Sequence, residues 1–143
     1  MRRFRYLPHT ADMEFRAYGR CFRDALENAS SALLNIMVDL KRAGMDKSAE
    51  GFIAIEESAH SEKDMAWFVL QDILSKVDSL QLNALRFNVI SLTGKSRIKL
   101  KGRLVFKKTG EDYSLLQVKA VTPHDLYVKR KNGIVSINVV VDV

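Results

Sequence analysis

The sequence predicts an α+β fold: a single-domain sandwich of mainly antiparallel sheet with two helices on one face, covering residues 1–143. Three observations predict it. Short alternating stretches stand at the start, two stretches of helical period follow, and the second half is an uninterrupted run of strand-like segments parted by turns. At this length one ordinary domain buries roughly 70% of the surface of its unfolded chain, enough to fold without crosslinks.

Residues 3–7 and 13–18 read as short strands. In the second, Met13, Phe15 and Ala17 alternate with Glu14, Arg16 and Tyr18, and Gly19 ends it. Phe22, Leu26, Ala29, Leu33 and Ile36/Met37 then recur at three- and four-residue spacing, so about 22–38 is an amphipathic helix. Asp39 to Gly51 is polar, contains Gly44 and reads as a loop; Phe52 to Glu57 is a short strand. Ser61-Glu62-Lys63-Asp64 resembles a capping box, its hydroxyl placed to accept from the backbone at Asp64. Met65, Phe68/Val69, Ile73, Val77 and Leu80 continue a helix to about residue 80, and Trp67, Leu70 and Leu74 widen its apolar face. Strands follow over 85–92 and about 97–107, then a turn at Thr109-Gly110-Glu111-Asp112. Leu115 to Val121 and Leu126 to Arg130 are further strands, Asn132-Gly133 is a hairpin turn, and Ile134 to Val143 is the last strand.

Composition narrows the class. Hydrophobic residues make up 47% of the chain, and the mean hydropathy is −0.11. The one cysteine, Cys21, excludes an internal disulfide and a cysteine-rich zinc site; a small, half-buried hydrophobe is its expected role. No apolar run approaches the roughly 20 residues of a membrane helix. The opening Met1-Arg2-Arg3-Phe4-Arg5-Tyr6-Leu7-Pro8 lacks the apolar stretch of a signal peptide, so a cytoplasmic protein is expected, with no membrane partner. A net charge of +6 and a pI near 9.5 favour polyanions or acidic protein surfaces as partners. Neither a phosphate-cradling glycine loop nor a nucleophile elbow is present, so an enzyme is not expected.

Two features need a reason. One is the polar cluster His9-Thr10-Ala11-Asp12 before an apolar strand; the other is Val139-Val140-Val141-Asp142-Val143, an apolar strand ending in carboxylates. If the first and last strands are neighbours, Asp12, Asp142 and the Val143 carboxylate converge. Two carboxylates about 4 Å apart repel by up to ~4 kcal/mol at an effective dielectric of about 20, so such a cluster requires a proton, a basic side chain or a cation. Oxygen ligands favour calcium or magnesium over zinc. The plain alternative is a turn or capping role for Asp12 and a solvated strand end at Asp142. Residues this far apart in the chain have no distance that spacing alone sets.

Around these residues the sequence resembles the archease family. The matching features are His9-Thr10-Ala11-Asp12, the strand ending in Ala17-Tyr18-Gly19, and the helix around Asp24-Ala25-Leu26-Glu27-Asn28-Ala29. They continue with the acid-capped helix from Glu62 to Leu80, Val118-Lys119-Ala120-Val121-Thr122, His124, and the terminal strand closing on Asp142. The resemblance implies a small α+β domain that binds a divalent cation, calcium first, with magnesium or manganese as alternatives. It also implies an accessory protein of the RtcB-type RNA ligase of tRNA splicing, one that promotes guanylylation of the ligase and its multiple turnover. By motif position, Asp12 and Asp142 are the metal-binding carboxylates, with backbone oxygen from Val143. Lys119, in the family's Val-Lys-Ala segment, and His9, which orients the Asp12 loop, are the expected ligase contacts. Pro123 stands where the family commonly has an aromatic, so no role carries over to His124.

A second surface competes. Lys95, Arg97, Lys99, Lys101 and Arg103 fall at successive i+2 positions, so a strand presents them on one face. That face is either the solvated side of an amphipathic strand or a polyanion contact. Phe106 points the other way, so no stacking aromatic is expected there. The alternative function is therefore a basic RNA-binding or chaperone-like module for tRNA-processing enzymes, with tRNA or tRNA-modifying enzymes as partners. A metal-dependent hydrolase ranks last, because no general base or second metal is evident.

Overall fold

Two antiparallel sheets and two long helices make up the chain, in a computed structural model that describes residues 1–8 and 12–143. The larger sheet runs in the order β1 (Phe4–Leu7), β2 (Met13–Gly19), β8 (Ile134–Asp142) and β6 (Ala120–Val121). β7 (Tyr127–Lys131) pairs with the same strand β8. The smaller sheet has the order β3 (Glu50–Ala59), β5 (Ile98–Lys107) and β4 (Asn83–Thr93). The α+β class and its antiparallel sheets are those the sequence predicts.

The helices are α1 (Phe22–Met37), the short α2 (Leu40–Met45) and α3 (Glu62–Leu80). Phe22, Leu26, Ala29 and Leu33, the stripe read from the sequence, are buried, and so are Ala25, Ala32 and Leu34 beside them. The wider face has a cause. α1 packs against β1, β2 and β8 of the larger sheet and against β4 of the smaller one, while α3 touches β3 and β5 as well as β6 and β7. The two long helices thus contact both sheets of the sandwich.

Local chemistry sets most boundaries. Ser61 caps α3 by accepting from the Asp64 amide, as its capping box predicts. The helix stops where Gln81 turns left-handed and Leu82 donates back to Val77 O at 3.1 Å. Asn132 and Gly133 both take positive φ, the turn that matches the twist of the β7–β8 hairpin. Gly19 lies so close to the start of α1 that a Cβ there would collide with the Ala25 backbone nitrogen.

Two stretches depart from the sequence reading. The expected loop after Asp39 contains α2, because the Asp39 carboxylate accepts from the Arg42 amide and caps a short helix that Gly44 does not break. The expected strand from Leu115 to Val121 is reduced to Ala120–Val121. Its first part lies instead along the end of α1, where the Leu115 and Leu116 amides donate to the carbonyls of Met37 and Ile36. Those carbonyls are the acceptors a helix C-terminus leaves unpaired, and they outcompete a ladder. Cys21 is exposed at the start of α1, not half-buried as its chemistry suggested.

Candidate functional site at the paired strand ends

The last strand is the hub of the larger sheet. β2 pairs with β8 from Gly19↔Val135 to Met13↔Val141, so the two strands reach the same end of the sheet together. The ladder ends at Met13↔Val141; Asp12 stands one residue before that last pair and Asp142 one residue after it, at the same end of the sheet. Both residues are half-buried, as is Val143. His9, Thr10 and Ala11 lie outside the described residues.

On its other side, Asp142 meets β6. Ala120 is registered with Asp142 and Val121 with Val141. The Lys119 amide donates to the Asp142 carbonyl at 2.7 Å, and Thr122 donates to Val140 O through its amide (2.9 Å) and its hydroxyl (3.0 Å). β6 is only two residues long, so its position depends on the helix behind it. Trp67 Nε1 donates to Val121 O at 2.8 Å, and Gln71 Oε1 accepts from the Val121 amide at 3.0 Å. α3 thus fixes β6, β6 fixes the Asp142 end of β8, and β8 sets the register of β2. Lys119 itself is exposed, and its ammonium makes no ion pair among the described residues, which removes the salt-bridge role open to it in the sequence.

A neighbouring row on the same face was not visible in the sequence. Asn138, only 2% exposed, donates to Glu14 Oε2 at 2.9 Å and to Asp125 O at 3.2 Å, and accepts from Arg16 Nε at 3.2 Å. Glu14 is two residues from Asp12 but is tied into this row. Among the described residues, no three His, Cys, Asp or Glu side chains converge as a metal cage. The oxygen donors in the residues just beyond the last β2–β8 pair are the carboxylates of Asp12 and Asp142 and main-chain oxygens, a donor type suited to a hard, water-keeping cation and not to zinc. His124 is exposed in the turn after Pro123, and His60 is exposed with Nδ1 3.1 Å from Ser96 O. Neither belongs to the strand-end group.

The basic stripe lies elsewhere. Lys99, Lys101 and Arg103 are exposed on the outer face of β5, while Ile98, Leu100 and Leu104 are buried on its inner face. Lys95 and Arg97 precede the strand, so the row of five on one strand face shortens to three; Arg97 donates to Ser58 Oγ at 2.8 Å. An aromatic does stand on this face, contrary to expectation. Phe52 of β3 is 56% exposed, and the Arg103 guanidinium sits 4.5 Å from its ring centroid. No sequence signal joins residues so far apart before the β3–β5 pairing is known. Lys129, Arg130 and Lys131 do not extend the stripe: they belong to β7, and Arg130 grips both oxygens of Glu62.

Comparison with known proteins agrees with this architecture. Residues 4–143 match the model of the Archease protein family (MTH1598/TM1083). The chain is 29% identical to a protein archease of Sulfolobus acidocaldarius, each covered over 100% of its length. It is 28% identical to one of Methanosarcina barkeri, over 99% of this chain and 97% of that protein. The solution structure of Methanobacterium thermoautotrophicum protein 1598 superposes with a TM-score of 0.84 at 24% identity, covering 100% of both chains. The crystal structure of a Thermotoga maritima archease, described as a possible chaperone, gives 0.55 at 20% identity, covering 100% of this chain and 98% of that one. Among the described residues, no helix is long and apolar enough to cross a membrane.

Proposed function

The chain belongs to the archease family, and we propose that it is a metal-binding accessory protein of an RtcB-type tRNA-splicing RNA ligase, not an enzyme. It promotes guanylylation of the ligase and its repeated turnover. The observation that carries the reading is the β2–β8 register, which brings the strand ends bearing Asp12 and Asp142 side by side. Asp12 and Asp142, with main-chain oxygen at Val143, would hold a divalent cation, calcium first and magnesium or manganese next. Bound there, the ion would neutralise the two carboxylates and let the tip approach an anionic, nucleotide-bearing site.

The chain's own residues do the rest. The Lys119 amide holds the Asp142 carbonyl in place, which leaves the Lys119 ammonium to meet a phosphate or carboxylate of the ligase. His9, three residues before Asp12 in sequence, is the second ligase contact. The Thermotoga relative's description as a possible chaperone supports the same broad role, a protein that acts on another protein. It also motivates a second reading as a chaperone-like helper of other tRNA-processing enzymes.

The test is a ligation assay with purified ligase, GTP and cleaved tRNA. Substoichiometric wild-type protein with metal is expected to convert single turnover into multiple turnover, and Asp12→Ala and Asp142→Ala are expected to abolish the effect. Wild-type protein that leaves turnover unchanged would sink the proposal.

A further inference from the structure

We propose that the outer face of the β3–β5–β4 sheet is a docking surface for single-stranded RNA, separate from the paired strand ends. Its frame is the central strand β5, which presents Lys99, Lys101 and Arg103 in a straight row with about 7 Å between neighbours. Among the described residues, none of the three has a carboxylate within ion-pair distance. Glu56 is registered opposite Lys101 without forming an ion pair with it; Glu50, at the far end of the same face of β3, is engaged by Arg86 at 2.8 Å, and Glu57 lies on the other face, opposite Leu100. The row therefore keeps its positive charge. Its spacing resembles the phosphate repeat of an extended single strand.

The flanks decide between nucleic acid and protein. On the β3 side, Phe52 is exposed with the Arg103 guanidinium 4.5 Å from its ring centroid, a cation–aromatic pair against which an unstacked base can rest. On the β4 side, Asn88, Ser91 and Thr93 are registered against Arg103, Lys101 and Lys99, and supply neutral amide and hydroxyl groups beside the cations. An acidic peptide would use the charges and leave the cation–aromatic pair idle. A duplex would curve away from a straight row after a few phosphates and keep its bases out of reach of Phe52. A single strand uses all three features. No side chain here is arranged to read base edges, so the binding is sequence-tolerant.

The test is fluorescence anisotropy with a labelled uridine dodecamer across a salt series. The expected slope of log K against log salt is about −2, three phosphate contacts at about 0.7 each. Lys99→Glu/Lys101→Glu is expected to weaken binding at least tenfold, and Lys99→Gln/Lys101→Gln by less. Phe52→Ala is expected to weaken it several-fold without changing the slope. Lys129→Glu/Lys131→Glu, on β7, is expected to bind like wild type. Circular dichroism checks that each variant is folded. Equal losses from the β7 pair, insensitivity to the β5 charges or to Phe52, or tighter binding of polyglutamate or of a duplex of equal length would overturn the proposal. Asp12→Ala should retain RNA binding, and the Lys99/Lys101 reversal should retain ligase stimulation, so this proposal and the one above fail separately.

Discussion

The indole N–H of Trp67 donates to the carbonyl oxygen of Val121 at 2.8 Å. Val121 belongs to the two-residue strand beside Asp142, so one side chain of α3 anchors the strand that borders the candidate site. Trp67→Phe keeps an aromatic ring, a smaller one, but removes the donor, and it leaves the carbonyl of buried Val121 without that partner. The expected cost is about 1–3 kcal/mol of stability, read from urea denaturation. Amide exchange at Val121 and Lys119 should quicken more than exchange in β3 or β5, which α3 does not hold through this bond. Uniform acceleration would show that Trp67 acts only as core packing.

The proposed cation site gives the second expectation. If the Asp12 and Asp142 carboxylates converge there, their repulsion destabilises the metal-free strand ends, and a cation that binds the folded state alone stabilises by mass action, about 2.7 kcal/mol at a hundredfold excess over Kd. Calcium is therefore expected to raise the Tm of the wild type. Asp142→Asn should abolish that rise while leaving Tm in EDTA equal or higher. An unchanged calcium response in this variant would count against the site.

How much of this was legible depends on the reach of each signal. Ser61 with Asp64, and Asn132 with Gly133, act within a few residues, and both sit where their chemistry placed them. The α1 stripe was also legible, though its width was not, since Ala25 and Leu34 are buried by a second sheet that periodicity along one helix does not encode. The segment after Ser114 looked like a strand because its apolar alternation is real. Hydrogen bonding to the end of α1 wins there, and Leu115 and Leu116 are left 60% and 44% exposed. Asp12 and Asp142 drew notice as residue types, but only the β2–β8 pairing brings their two chain positions to the same end of the sheet. Phe52 beside Arg103 was missed for the same reason.

Two carboxyl groups should respond to pH in opposite senses. Asp46 is held well below the ordinary carboxylate range, first by a side-chain hydrogen bond from Ser48, then by Tyr113 and Thr109. A depressed folded-state pKa contributes stability above the unfolded value of about 4, and this is lost as pH falls through the folded value. Glu57, which faces α3, is pushed up by burial first and then by the Asp72 charge and the hydrogen bond to Asp72. A raised value favours the fold below the unfolded pKa and loses that contribution as pH rises through the folded one. Asp46→Asn should therefore lower Tm at pH 7, with the deficit shrinking toward pH 2. Glu57→Gln should raise Tm at pH 7 and match the wild type at pH 3. Parallel pH profiles for wild type and either variant would refute the assignment for that residue.

Asn138 separates support of the sheet from function at its tip. Its amide nitrogen joins Glu14 to Asp125 O, its oxygen takes the Arg16 Nε–H, and Asn138 itself is only 2% exposed. Asn138→Ala removes a hub on the same face as Asp142 but four residues from it, with Val140 and its two bonds from Thr122 in between. A lost buried hydrogen-bond hub costs about 1–3 kcal/mol, more where a charged partner is stranded, and both Glu14 and Arg16 are charged. Glu14 and Arg16 are only half-buried, so water can reach them in the variant, and the lower end of that range is expected. If the strand-end pair depends on the β2–β8 register and not on this row, the seven-residue ladder should survive. The calcium-dependent rise in Tm should then persist in a protein that is less stable throughout. A variant that loses the calcium response along with stability would mean that Glu14, released from Asn138, belongs with Asp12 and Asp142 in one carboxylate group.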